Sequence, residues 1–325
     1  MVKTVFGGAG ISKQAYYNTP ESAAKVLDIL LANDITNLDT ARLYPGSEVA
    51  IGEQPKRTSF TIDTKLEGGF GQPGRLTRET ALADAKDSLA RVGIEQFDVL
   101  YIHAPDTSIA FEETLAGIND AHQAGIFRRF GLSNFTAQQV QQVYDIAKAN
   151  NYVLPTIYQG NYSPVARHLE TLLFPTLKNL GIKFYAYSPL AGGFLTKTAA
   201  DIDAGAGRFN EKAIGGLYKT LYDHAELRDA LVSWNQIAEK EGVSKAELAY
   251  RWVAFHSAIA DDAENGVIFG ASSHAQIEQT AKVLKAGKLS ADAVTGIEKI
   301  WESVKEVAPV DNFNKFKKSE FVARI

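Results

Sequence analysis

The sequence predicts an α/β protein folded as a (β/α)8 TIM barrel. Three observations predict it. Eight short runs rich in β-branched and aromatic residues recur along the chain, and each is followed by a stretch of helical character. Strand and helix signals alternate from end to end, which favours a closed parallel barrel over an open sheet. No Pro/Ser-rich linker, repeat or low-complexity tract divides the 325 residues, so 1–325 reads as a single domain.

The runs are "TVFGG" (4–8), "NLDTA" (37–41), "FTIDTKL" (60–66), "FDVLYIH" (97–103), "RFGLSN" (129–134), "TIYQGN" (156–161), "KFYAYSP" (183–189) and "GVIFGAS" (266–272). Among the helices, "PESAAKVLDILLAND" places Pro20 in a first turn and Ala24, Leu27, Leu30 and Leu31 on one face. "TRETALADAKDSLARVG" opens with Thr77 as N-cap and closes at Gly93. "TAQQVQQVYDIAKANN" and "SKAELAYRWVAFH" follow the same logic. Residues 199–221 are too long for an ordinary strand-to-helix connection and read as a loop over the barrel mouth. Residues 308–325 read as a tail, with "KFKKSE" (315–320) a solvated charge run. Ala323-Arg324-Ile325 loosely matches a small-basic-aliphatic peroxisomal address, but a frayed terminus is the preferred reading.

Composition narrows the function. A net charge of −4 argues against nucleic acid or an anionic membrane as partner. The absence of cysteine excludes a disulfide framework, a thiolate zinc site and a cysteine nucleophile. No apolar run reaches signal-peptide or transmembrane length, and a cytoplasmic location is expected.

"KLEGGFGQPGR" (65–75) contains Gly69, Gly71 and Gly74 in the spacing G-x-G-x-x-G, the dinucleotide fingerprint. A true fingerprint sits in the first strand-to-helix turn, with its third glycine inside the helix. Here the loop follows the third strand, Pro73 interrupts it, and Thr77 caps the helix only after the last glycine. It reads as a barrel-mouth loop, able to move near a substrate.

Catalytic groups of such barrels lie at the C-terminal ends of the strands. Those ends supply Asp39, Lys65 and His103, with Tyr44 five residues beyond Asp39. Each alone has a bland reading: a turn cap, a surface cation, a satisfied histidine, a packing aromatic. Four ionisable groups at one mouth are costly to bury without a task. The task they suit is proton donation beside a hydride transfer. Lys65 would lower the pKa of Tyr44, Asp39 would keep Lys65 charged, and His103 would direct a carbonyl oxygen to the phenol. A metal-dependent hydrolase or lyase is disfavoured, because only His103 of six histidines ends a strand. His122, His168 and His256 fall in helical stretches, and His224 and His274 begin them.

"NLDTARLYPGSE", "TIDTKL" and "LYIHAPD" resemble the catalytic segments of the aldo-keto reductases. "HAPDTSIAFEETL", "GLSNF", "LPTIYQGNYS", "FYAYSPLAGGFLT" and "GASSHAQIEQ" resemble the aflatoxin-aldehyde reductase branch, which includes succinic semialdehyde reductase-like members. The likeness runs from about residue 4 to 285. It implies an aldo-keto reductase barrel that binds NADPH or NADP+ and reduces small aldehydes or ketones. Tyr44 is then the proton donor, Lys65 its pKa-lowering neighbour, Asp39 the partner of Lys65, and His103 the carbonyl-orienting group. Ser133, Asn134 and Gln159 would hold the nicotinamide carboxamide, and Tyr187 would stack on the ring. Ser188, Pro189, Leu190, Gly192, Leu195 and Lys197 would cover the pyrophosphate, with Gly192 and Gly193 allowing close approach.

Ser272, Ser273, Gln276 and Gln279 would receive the adenosine end, with Arg208 the cation for the 2′-phosphate. Ser273 and Gln276 also form a capping box that needs no ligand. Thr280 stands where the branch commonly has Asn, and Lys197 is one place late, so the NADP over NAD preference is open. At the substrate end Tyr218 matches a branch tyrosine, but Leu221 replaces the arginine three residues on. Neutral or aromatic aldehydes are therefore expected over carboxylate-bearing ones. A homodimer is expected by resemblance. The alternative is an NADP(H)-binding regulatory or redox-sensing subunit, as in the potassium-channel β-subunits, although nothing here resembles their extended N-terminus.

Overall fold

The computed structural model describes residues 2–314. Eight parallel strands close into a barrel in sequence order: β1 Lys3–Gly7, β2 Asn37–Asp39, β3 Thr61–Leu66, β4 Phe97–Ile102, β5 Phe127–Ser133, β6 Pro155–Asn161, β7 Lys183–Tyr187 and β8 Gly266–Phe269, with β8 pairing back onto β1. All eight sequence runs coincide with strands. Apolar runs such as "VLYI" in β4 suit strands buried on both faces.

The helices are α1 Pro20–Ala32, α2 Ser47–Gly52, α3 Arg78–Val92, α4 Phe111–Gln123, α5 Ala137–Ala149, α6 Leu169–Leu172, α7 Phe174–Leu180, α8 Ala199–Asp203, α9 Leu217–Tyr222, α10 Ala225–Glu241, α11 Lys245–Phe255, α12 His274–Val283 and α13 Ala291–Val304. The Thr77 hydroxyl caps α3 by accepting from Thr80 N–H, and Gly93 ends it at φ 64°. Pro20 occupies the first turn of α1 behind Thr19. The buried face of α1 is turned slightly from the expected one. Ala23, Val26, Leu27 and Leu30 are buried, while Ala24 and Leu31 lie at its edges.

Side-chain parity decides what the barrel encloses. Val5, Val99, Tyr101, Ile157, Tyr185 and Ile268 form a separate inner cluster that fills the lumen. Gly131 and Gly266 make room for its tyrosines, since a Cβ on Gly131 would lie 2.3 Å from the Tyr101 ring. Gly7, Gln159 and Tyr187, each two residues beyond a cluster member, form the next layer up together with Lys65 of β3 and Ser133 of β5. Register joins Gly7 to Asp39 and Ser133 to Gln159 across neighbouring strands. A polar layer thus rests on an apolar plug.

The mouth segment is more ordered than a loop. It contains α8, with a Thr198/Asp201 capping box, and the six-residue α9. Beyond α13 the chain packs back on the barrel: Ala308 and Phe313 are buried, and Asp311 accepts from the backbone N–H groups of Phe313 and Asn314. The charge run 315–320 and the final Ala-Arg-Ile lie outside the described residues. No helix among the described residues is long and apolar enough to cross a membrane.

Candidate active site

The polar layer is organised around a buried ion pair. Lys65 Nζ donates to Asp39 Oδ2 at 2.6 Å and to the Thr40 carbonyl at 2.8 Å, with the lysine fully buried. Asp39 Oδ1 accepts from Gln159 Nε2 at 2.9 Å, so the carboxylate has partners on both oxygens. Burial pulls the Lys65 ammonium down. Asp39, Tyr44 and Asp63 together outweigh that pull, so its pKa lies above the ordinary lysine value and the charge is kept.

The ammonium sits 5.2 Å from the centre of the Tyr44 ring. Tyr44 keeps part of its surface open to the cleft while protein atoms surround it densely. Lys65 lowers its pKa, but burial raises it by more, so it stands above the ordinary tyrosine value. The reason is visible in the pair itself. Asp39 neutralises much of the lysine charge, and no hydrogen bond joins Lys65 Nζ to the phenol.

His103 follows β4 and meets Tyr44 edge-on at 5.8 Å between ring centres. Burial, then the nearby Lys65 charge, hold its pKa well below the usual histidine value, so the ring is neutral. Its Nδ1 is buried without a partner. An unpaired acceptor costs less there than an unpaired N–H, which leaves the proton on Nε2. The Phe70 ring packs on His103 at 5.0 Å and on Phe313 at 4.9 Å.

That contact explains the glycine loop. A Cβ on Gly68 would lie 2.0 Å from the Ala104 carbonyl, and one on Gly69 2.3 Å from the Pro105 carbonyl. These glycines let the loop lie flat against the segment after β4 and carry Phe70 to His103. Asp98, near the start of β4, pairs with Arg129 at 2.5 Å.

Asn134 is held at φ 61°, its amide donating to the His103 carbonyl at 2.8 Å and to Ser133 Oγ at 3.0 Å. Tyr187 OH donates to Asn134 Oδ1 at 2.8 Å. Two more non-glycine residues with positive φ, Ser188 and Ala191, follow at the end of β7. Such strain collects where surroundings fix a functional shape.

A cleft of about 550 Å3 runs from this layer across the mouth. Its floor has Asp39, Tyr44, His103, Asn134, Gln159 and Tyr187, and one wall has Ser188, Pro189, Leu190, Gly192, Gly193 and Lys197. Tyr218 and Arg208 border it from the mouth segment, and Ser272, Gln276 and Gln279 close its far end. Several expected residues stand elsewhere. Lys65 and Ser133 lie just beneath the cleft surface, and Leu195 is buried in the apolar core.

Gly192 has a different neighbour from the one expected. A Cβ there would fall 1.9 Å from the Tyr218 ring, whereas the space beside Gly193 is open. Arg208 stacks over Tyr218 at 5.4 Å and donates to its hydroxyl at 3.3 Å. Tyr16 lies beside the same guanidinium, whose charge reaches Tyr44. That charge also reaches Tyr250, whose hydroxyl is directed at Thr280 of α12. At α12, Ser273 caps the Gln276 N–H, while Gln276 Oε1 accepts from Ser272 N and Oγ. Both serines therefore have structural partners.

Sequence reading did not single out Tyr16, Leu43, Phe70, Ile214, Tyr250 or Asn312, which also line the cleft. Phe70 carried a signal, being the one large residue in a glycine loop after a catalytic strand. Among the described residues no cluster of His, Cys, Asp and Glu could hold a metal.

Residues 3–302 match the model of the aldo/keto reductase family. The chain is 38% identical to oxidoreductase sirO of Leptosphaeria maculans over 309 residues, covering 94% of this chain and 93% of that protein. It is 32% identical to aflatoxin B1 aldehyde reductase member 4 of Homo sapiens, covering 92% and 93% of the two. Identity to aldo-keto reductase family 7 member A3 of Homo sapiens is 33%, covering 94% and 96%.

Proposed function

The chain belongs to the aldo/keto reductase family, and on that footing we propose that it reduces aldehydes, and ketones of similar size, to alcohols with NADPH. The observation that carries this reading is the buried Asp39–Lys65 pair beneath Tyr44, with neutral His103 facing the same phenol.

The residues present fit a dinucleotide. Amide-bearing Asn134 and Gln159 offer the donors and acceptors a carboxamide needs, and Tyr187 offers an aromatic face. Arg208 has no carboxylate partner among the described residues, so an anion entering the cleft would meet an uncompensated guanidinium. Arg208 is the cation proposed for the 2′-phosphate. When bound, the nicotinamide supplies the hydride. His103 Nε2–H fixes the carbonyl oxygen beside the Tyr44 hydroxyl. Tyr44 gives that oxygen its proton as negative charge develops there, and the Lys65 ammonium stabilises the phenolate left behind.

The open end of the cleft is aromatic and apolar, with Tyr16, Leu43, Phe70 and Ile214. Leu221 is fully buried and presents no charge. Neutral and aromatic aldehydes are the proposed substrates. A kcat/KM for succinic semialdehyde well above that for aromatic aldehydes would overturn that choice.

The test of the function follows absorbance at 340 nm with NADPH and 4-nitrobenzaldehyde in the wild type and Tyr44→Phe. Turnover should collapse in Tyr44→Phe, by roughly 100-fold or more, while NADP+ still binds. Tight binding of NADPH without turnover of any carbonyl would favour the sensor reading instead.

A further inference from the structure

Arg42 lies two residues before Tyr44, on the segment joining β2 to α2. We propose that it is a positioning residue, whose guanidinium clamps the Tyr44 segment to α3 and so sets how the phenol meets Lys65. The proposal rests on Tyr44 being the proton donor.

Both ends of Arg42 are engaged. Its backbone N–H donates to the Lys65 carbonyl at 3.2 Å, next to the residue whose charge the phenol needs. Its side chain, only 8% exposed, reaches the other way into α3. Nη1 donates to the Asp84 carbonyl at 3.1 Å, to Asp87 Oδ2 at 2.8 Å and to Ser88 Oγ at 3.1 Å, while Nη2 meets Asp84 Oδ1 at 3.2 Å. One residue therefore ties the strand of the lysine, the segment of the tyrosine and a helix of the outer ring.

Tyr44 needs such a tie. Its hydroxyl makes no hydrogen bond to the described residues, so the ring goes where its backbone carries it. That backbone is a tight turn, with Tyr44 N–H on the Ala41 carbonyl at 3.0 Å and Gly46 at φ 73°. Packing alone could hold the turn. A buried ion pair seldom stabilises more than apolar residues of similar volume, because desolvation offsets the attraction. A planar guanidinium with acceptors fixed by a helix does specify a direction and a distance, which an apolar contact does not. A misplacement of about 1 Å at a reacting group can cost about 100-fold in rate.

The test compares wild type, Arg42→Leu, Arg42→Lys and Arg75→Leu. Arg75 bonds the same Asp84 at 3.0 Å from the more exposed side, without touching the Tyr44 segment, and so reports on α3 alone. Arg42→Leu should lower kcat by roughly 10- to 100-fold, leaving KM and the NADP+ Kd within about threefold. Arg42→Lys keeps the charge without the fork and should fall between. Arg75→Leu should lower Tm with kcat unchanged. Alkaline titration of Tyr44 at 295 nm, isolated by subtracting Tyr44→Phe, needs no turnover. Its midpoint should move upward in Arg42→Leu, because the phenol loses part of the Lys65 charge. If Arg42→Leu does not fold, the same midpoint and kcat are read in Arg42→Lys. The proposal is overturned if kcat and midpoint stay at wild-type values in the Arg42 variants, or if Arg75→Leu loses as much kcat for the same loss of Tm. Absence of turnover in wild type, with the midpoint still moving, would sink the proposed function and leave the clamp standing.

Discussion

Tyr44 and His103 titrate in ways that set the pH dependence of the proposed reaction. Reduction needs the phenol protonated, and burial holds its pKa above the ordinary tyrosine value. The rate should therefore stay level through neutrality and fall only as pH rises past that range. His103, held well below the usual histidine value, should add no limb near pH 6.5. A kcat/KM profile with a limb there that disappears in His103→Asn would contradict this. Asp63 lies one layer below, fully enclosed, with Val99 N–H donating to its Oδ1 at 3.1 Å. Burial, then repulsion from Asp39 and Asp98, push its carboxyl well above the usual range. A raised folded pKa means its contribution to stability is complete below the unfolded value near 4 and is lost as pH rises through the folded one. Asp63→Asn mimics the protonated acid and escapes that loss, so urea unfolding should show its relative stability improving from pH 5 to pH 9. An unchanged difference would show that Asp63 is ionised throughout. At this scale Asp39, Lys65 and His103 were legible because strand ends in a barrel point to its mouth. Arg42 and Asn312 were not, since sequence does not tell which way a connecting residue turns.

Elements reach the site through shape as much as chemistry. The wall after β7 turns at Gly192, φ 68°, and the ring of Tyr218 from α9 lies directly on the missing side chain. Gly192→Ala would add backbone strain of about 1 kcal/mol and a methyl group where the ring now sits. Tyr218 would have to move, and Arg208 with it. Gly193→Ala would meet strain at φ 99° but open space. Gly192→Ala should thus weaken NADP+ binding and raise KM for aromatic aldehydes well beyond Gly193→Ala, as measured by fluorescence titration and initial rates. Equal effects would mean that the backbone alone matters. The strands were legible because doubly buried strands have a composition of their own. α8 and α9 were not, because helices of five and six residues are too short to show a period. Their order comes from a capping box and from contacts with the rest of the mouth.

The whole molecule contributes to one cleft. Its lining runs from Gly7 in the first strand to Asn312 beyond the last helix and draws on all eight strands or the segments that follow them. Closure of β8 on β1 brings Ile268 and Gly270 beside Gly7 and Ala9, residues far apart in sequence. No part of the barrel can open without removing some of the proposed dinucleotide's contacts. Binding energy should therefore be shared by the entire fold. A ligand bound only to the folded state stabilises it by about 2.7 kcal/mol at one hundred times its Kd. Calorimetry should show one transition that moves as a whole to higher temperature with the logarithm of NADP+ concentration. A second transition that stays in place as NADP+ rises would identify a part of the chain that folds independently of the cleft. The mouth segment 199–221 is the place to look for it, because it meets the rest of the chain through the wall after β7, the Asp203–Arg228 ion pair and the contacts of Arg208 and Tyr218 with the cleft. Arg208→Leu would then separate the two cases. If the segment melts with the barrel, the substitution lowers the single Tm and the size of its NADP+ shift together. If it melts alone, only the lower transition responds.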